Sequence, residues 1–343
     1  SASSAMSASR YARVMSTEAG RDTLRNLALW EDQRVTGDGR LFDYLRAENP
    51  LVRLRTVEVI GRIQDPGDAS RLLPMLEDSD PRVVDETFLA LGQIGSEVAV
   101  PALVEVCKSG SEEHKVLAAE ALGKIGGADA VEPLMTLLHD FHASNRAAAA
   151  MALARAADES AVPALLIATE DPDPTVAWRA IYALEKVESD KVGGRIAKFL
   201  DDDRPTIVRT YTARTLGKQK YNGAVDGLIA ALSADDDALV INAANALGQI
   251  GKSKAVDALA HLAVSHKSHH VRRAAVTALG DIGHRKAKNV LMQTMLDTSA
   301  GVRVASVHAI AAVMGSKGEM FIDQARNDGS RYVRAAALEA YGE

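Results

Sequence analysis

Residues 80–95 read DPRVVDETFLALGQIG, and the phrase LGQIG returns unchanged at 247–251. With the glycine of LG as an index, equivalent positions fall at Gly61, Gly92, Gly123, Ala154, Glu185, Gly217, Gly248, Gly280, Ala311 and Gly342, in steps of 31 or 32 residues. A fixed period of this length marks a chain of stacked repeats, each unable to bury its apolar face alone. Val nine before the index, a small residue five before, Leu or Ile one before and often Ile two after trace one stripe at helical spacing. In the second copy these are Val83, Thr87, Leu91 and Ile94, and in the eighth Val271, Ala275, Leu279 and Ile282. Asp80-Pro81 and Asp173-Pro174 supply an N-cap and a first-turn proline, while Gly95, Gly126, Gly251 and Gly283 follow Ile where a helix needs a left-handed C′ residue.

A partner helix precedes each of these. It shows as AVPALVEVC from Ala99, AVEPLMTLL from Ala130, AVPALLIA from Ala161, AVDGLIAAL from Ala224 and AVDALAHLA from Ala255. The expected unit is therefore a helical hairpin, and LGQIG is a packing phrase written once per layer because every layer meets the same neighbour.

Composition agrees. Of 343 residues, 47% are hydrophobic but only 4% aromatic, and the apolar share is mostly Ala, Leu and Val, which suits close helix packing. The formal charge of −6 argues against a generic nucleic-acid or anionic-membrane binder. A single Cys, Cys107, excludes an internal disulfide framework and sits four residues after Leu103, as a buried structural thiol would. No apolar run approaches the roughly 18 residues of a membrane span, so none is expected.

The pattern PxVRxxAAxALGxIG with an AVxxL partner helix resembles the HEAT repeat, in the short variety named after phycobilisome-lyase-like proteins. The resemblance covers roughly 37–343 and implies an all-α solenoid of about ten hairpins in one continuous domain. With neighbouring helices about 9 Å apart, such a stack would arc over about 90 Å. Residues 1–16, rich in Ser and Ala, read as a disordered leader or expression remnant, and 17–36 as a capping helix with Leu24, Leu27 and Trp30 on one face. The last copy stops at Gly342 without a polar closing helix, so a longer parent chain is expected. Residues 27–66 are also similar to the opening of bacterial proteins in which HEAT-like repeats precede cyclophilin-type prolyl isomerase domains. No cyclophilin-like segment follows here, so that activity does not carry over. A bilin-lyase-like subunit is a further possibility the fold resemblance leaves open.

On the second helices, positions seven before, three before and one after the index form a stripe turned away from the core. In HEAT-like stacks this helix lines the concave side. The column one after the index reads Arg62, Gln93, Lys124, Arg155, Lys186, Lys218, Gln249, Asp281, Ala312 and Glu343, basic early and not late. Cations do suit a helix C-terminus, but that alone would make the column basic throughout. Near the middle copies the stripe also holds Met151, Trp178, Tyr182 and Arg214, with Tyr211 beside them. Aromatics flanked by cations are the composition of a binding hot spot. Three readings stay open: a groove for an acidic or phosphorylated peptide, a solvated face with Trp178 and Tyr182 tucked between layers, and a nucleic-acid backbone site, which the net charge opposes.

Eight before the index stand Arg53, Lys115, Arg146, Arg209, Arg272, Arg303 and Arg334. In HEAT-like proteins the matching Arg forms a ladder with Asp or backbone groups, and here Asp80, Asp173 and Asp236 are the expected acids. The late histidines His261, His266, His269, His270, His284 and His308 lack Cys or Glu at ligand spacing, so no metal is expected. The chain has no His-Glu dipeptide, which counts against the iron-binding deoxyhypusine hydroxylases. GGADA after Ile125 lacks the GK[ST] of a phosphate loop, and no nucleophile–base pair stands out. The expectation is a non-enzymatic scaffold for a protein or peptide, with no cofactor.

Overall fold

The computed structural model describes residues 17–36, 39–187, 189–201 and 203–342; the leader over 1–16 and Glu343 lie outside them. Most of the described residues are helical, with no strand among them, and the fold is an all-α solenoid of helical hairpins. The chain divides into two compact units, residues 1–164 and 165–343.

In the first unit the second helices Pro50–Ile63, Pro81–Ile94, Glu112–Ile125 and Ala143–Ala156 stack in order, and Glu18–Gln33 packs on the first of them. Leu27 and Trp30 of that capping helix are buried, and Trp30 stacks on Tyr44 at 5.9 Å. In the second unit Pro174–Glu185, Thr206–Lys218, Asp237–Ile250, His269–Ile282, Ala300–Met314 and Arg331–Tyr341 stack likewise.

The predicted stripe is the core. Ile60, Leu91, Leu122 and Leu153 in the first unit, and Leu184, Leu216, Leu247, Leu279 and Ile310 in the second, are all but inaccessible. Burying each contributes about 1.5–3 kcal/mol. The partner helices Val100–Ser109, Val131–Leu137, Val225–Ala231 and Val256–Ser265 each follow a single 3₁₀ turn that ends at the predicted alanine. Those alanines, Ala99, Ala130, Ala224 and Ala255, are buried because the turn is pressed into the hairpin.

The index glycine acts through close approach. A Cβ built at Gly123 would stand 2.7 Å from Ala152 Cα, and one at Gly217 would stand 2.6 Å from Ala246 Cα. Gly61, Gly92, Gly248 and Gly280 meet Ala90, Ala121, Ala278 and Ala309 in the same way. Each pair joins the index of one copy to the alanine two before the next index, so second helices touch backbone to backbone.

Asp80 and Asp173 cap their helices, each accepting from the backbone N–H two residues on. Gly95, Gly251 and Gly283 take the left-handed conformation, with φ between 67° and 75°. Gly126 differs, at φ 76° and ψ −157°, because Gly127 follows it and also adopts positive φ, at 89°. Where no glycine is present the chain still makes the left-handed turn, at Gln64 (φ 60°) and Ala157 (φ 49°). A Cβ in that region costs about 1 kcal/mol. Ala157→Gly is therefore expected to raise the melting temperature by roughly 1–3 °C, read by circular dichroism. A lower melting temperature would show that the turn is not strained.

Candidate functional site

Asp173 and Pro174 start the Pro174–Glu185 helix, which sets Trp178 and Tyr182 one turn apart on the same face. From the next second helix, Thr206–Lys218, Tyr211 and Arg214 reach the same place. Trp178 and Tyr211 stack with ring centroids 4.5 Å apart and planes 22° apart, and Tyr182 meets Tyr211 edge-on at 5.9 Å. All three rings are half-buried. Cations surround them: Arg179 lies 5.4 Å from the Trp178 centroid, and Lys186 and Arg214 lie 5.4 and 5.5 Å from that of Tyr182. Such contacts contribute about 0.5–1 kcal/mol each near the surface.

Glu185 was not anticipated. It holds the index position, where the other copies have Gly or Ala, and its side chain is only 4% exposed. Arg214 Nε lies 2.8 Å from its Oε2, and Arg214 Nη2 donates to Oε1 at 3.0 Å, so this ion pair neutralises Arg214. Thr215 stands where the glycine's alanine partner stands elsewhere, and its hydroxyl donates to Ile181 O at 3.2 Å. Gln219 Nε2 donates to Leu184 O at 3.2 Å and Val187 O at 2.8 Å. At this junction the backbone-to-backbone glycine contact is replaced by polar side chains, and the spacing lengthens to 32 residues. The signal was visible, since Glu185 is the one acid in the index column.

The exposed cations of this patch are Lys186 and Lys218. In the first unit Lys124 and Arg155 are exposed and Met151 is half-buried. Arg62 is already engaged: it pairs with Glu31 of the capping helix, which Arg55 also holds. Burial pushes Glu31 upward, but these arginines outweigh it and keep the carboxylate below its usual range.

The arginine column forms repeated clamps. Arg53 donates through Nε and Nη2 to both oxygens of Asp78 at 2.7 and 2.8 Å, and through Nη1 to Ala47 O at 2.7 Å. Arg272 repeats this on Asp297 and His266 O, and Arg303 on Asp328 and Asp297 O. Each therefore ties its own loop to the next one, 25 residues ahead. Lys115 holds Asp140 in the same register, and Asn145 Nδ2 joins it at 2.9 Å, which accounts for a fully buried Asn where most other copies have Val. Arg209 donates to Leu200 O, Arg146 to Asp140 O and Arg334 to Asp328 O. The receiving acids are not Asp80, Asp173 or Asp236. Those three cap helix N–H groups, and Asp80 also holds Arg82, whereas the clamp acids lie farther upstream in the loop.

This repeated geometry has a counterpart among known proteins. The sequence matches HEAT repeats over residues 40–116, 89–144, 131–217, 195–268 and 262–342. The chain belongs to the HEAT-repeat family. A crystal structure of an engineered protein is similar in fold to this HEAT chain at a TM-score of 0.52 and 20% identity, covering 88% of this chain and 97% of that one. The X-ray structure of YibA from E. coli is similar at a TM-score of 0.57 and 20% identity, covering 72% and 92%. No curated protein matches the sequence.

Elsewhere in these HEAT units, His266 and His284 accept through Nδ1 from the backbone N–H of Ser268 and Lys286, as local caps. Among the described residues no three His, Cys, Asp or Glu side chains converge on a metal position, and no helix is long and apolar enough to cross a membrane. Cys107 is buried, and that burial pushes its thiol up to about 12, far from a reactive thiolate.

Proposed function

We infer that this HEAT-repeat protein acts without catalysis, as an interaction scaffold, and that the Trp178–Tyr182–Tyr211 patch with Lys186 and Lys218 takes an acidic peptide segment. The general part follows from the family, whose fold mostly carries protein-binding surfaces. The finer part rests on one observation: three half-buried aromatic rings held in a fixed stack, with the exposed Lys186 ammonium over Tyr182 and the exposed Lys218 one turn after Arg214 on the neighbouring helix. The rings are ordered before a ligand arrives, so binding costs little side-chain entropy. Arg214 is balanced by Glu185, so the positive charge of the patch comes from Lys186 and Lys218 together with the half-buried Arg179 over Trp178. In the first unit Lys124 and Arg155 add two exposed cations, and Met151 a half-buried apolar side chain, on their own stretch of second helices.

A fluorescent glutamate-rich dodecapeptide tests this. Binding measured by anisotropy is expected to weaken about tenfold or more in Trp178→Ala, and likewise in a Lys186→Glu/Lys218→Glu variant. It should also weaken as salt rises. Equal affinity for wild type and both variants would reject the patch.

A further inference from the structure

We propose that the second unit carries a separate site for a small ligand bearing two or more phosphate groups, in the cavity between the turns Arg285–Ala287 and Gly315–Gly318. The cavity measures about 830 Å³ and is lined by Arg285, Lys286, Lys288 and Lys317, with Val313 and Met314 as its apolar wall. No carboxylate is among these lining residues.

A comparison inside the molecule shows that this charge is not demanded by the fold. The same interturn position in the first unit is a cavity of about 570 Å³ lined by Glu97, Val100, Pro101, Gly127 and Asp129. Counting from the index positions, Arg285 occupies the place of Glu97, Lys288 that of Val100, and Lys317 that of Asp129. The repeat builds this cavity at several junctions: acids line the one in the first unit, Asp226 with Lys252 and Lys254 line one of about 350 Å³ between the turns Asn222–Ala224 and Ser253–Ala255, and the charged residues lining this one are all cations. Packing accounts for the cavity, since all these forms fold. It does not account for the inversion of charge, which puts three cations where the first-unit cavity has two acids and a valine.

Two of the four cations are already placed. Lys286 Nζ is held 2.6 Å from Asp257, and Lys288 Nζ lies 4.8 Å from the Phe321 ring centroid. Arg285 and Lys317 are exposed and make no ion pair with a described residue. A cleft lined by one sign of charge concentrates the field and attracts a counter-ion of matching size. Arg binds phosphate in a bidentate fork and Lys as a point charge, so a pair of phosphates fits this set. The net charge of −6 repels an extended polyanion beyond the cavity, which favours a compact ligand over a nucleic acid. Val313 and Met314 give an organic portion of that ligand an apolar surface.

The probe is inorganic tripolyphosphate, titrated by calorimetry into the intact chain at about 0.1 M salt, where exposed charges are screened beyond about 10 Å. Saturable binding at one site is expected. Arg285→Glu/Lys317→Glu, which recreates the acids of the first cavity, should weaken it about tenfold or more. Lys252→Glu/Lys254→Glu, on the neighbouring turn, should leave it unchanged. Both altered positions of the test variant are exposed, and an unaltered melting temperature verifies its fold; Arg285→Gln/Lys317→Gln replaces it if that fails. Absence of saturable binding, or equal weakening by both double variants, would overturn the site. So would a concentration-dependent dimer lost in the test variant without tripolyphosphate binding, because the cations would then serve a second copy of the chain.

Discussion

Gly123→Val is expected to destabilise the first unit by about 3 kcal/mol or more, the upper range for overpacking a core. The reason is geometric. A Cβ at Gly123 lies 2.7 Å from Ala152 Cα and 2.8 Å from its Cβ, and backbone atoms cannot rotate out of the way as a side chain could. Two second helices must separate, which strips contacts from Leu122 and Leu153 at the centre of the stack. Urea denaturation followed by circular dichroism measures the loss. Gly123→Ala should cost about 2 kcal/mol, and adding Ala152→Gly should recover only part of it, because the 2.7 Å contact is to the Cα that remains. Gly95→Ala is the control: a Cβ there meets nothing within 4 Å, so only the left-handed conformation is penalised, by about 1 kcal/mol. A Gly123→Val chain as stable as wild type would mean the helices are not in backbone contact.

Arg272→Ala comes next in size, at about 2–3 kcal/mol at neutral pH. The guanidinium and Asp297 are 13% and 10% exposed, so removing one partner leaves the other charge poorly solvated, although not in a dry interior. Arg272 also satisfies His266 O, and that acceptor would lose its donor. The loss should depend on pH in a defined direction. Arg272 holds Asp297 below its usual range, as Arg53 does Asp78 and Arg303 does Asp328. Burial alone would raise Asp140, yet Lys115, the His142 N–H and Asn145 together keep it well below that range too. A carboxyl whose folded pKa is depressed stabilises the fold fully above its unfolded value of about 4, and the contribution disappears as pH falls through the folded pKa. Melting temperature should therefore be insensitive to these acids from pH 7 down to about 4 and fall below that. The gap between wild type and Arg272→Ala should narrow over the same acid range. A gap that stays constant to pH 2 would show that Asp297 is not the partner whose charge matters.

The two predictions mark the boundary between what was readable from residue order and what was not. Period, hairpin, core stripe and helix caps are local: Val83, Leu91, Asp80 and Gly95 announce themselves within one or two turns of chain, and spacing alone places them. The arginine column was legible for the same reason. Its partners were not, because a carboxylate two residues upstream of a helix cap looks the same in sequence as the cap itself. Only the fold shows Asp80 facing helix N–H groups while Asp78 faces Arg53.

The candidate site divides similarly. Trp178, Tyr182, Lys186 and Lys218 could be found by counting from an index, since a stripe on a helix is a matter of periodicity. That Tyr211 stacks on Trp178, that Glu185 neutralises Arg214, and that Arg62 is taken up by Glu31 depend on the distance between separate helices. The inversion of charge between interturn cavities has the same character, because Arg285 and Lys317 are 32 residues apart and meet across one cavity only when neighbouring turns stack. Periodicity is a property of the chain's own geometry, whereas charge pairing is decided by which side chains the packed layers bring within a few ångströms.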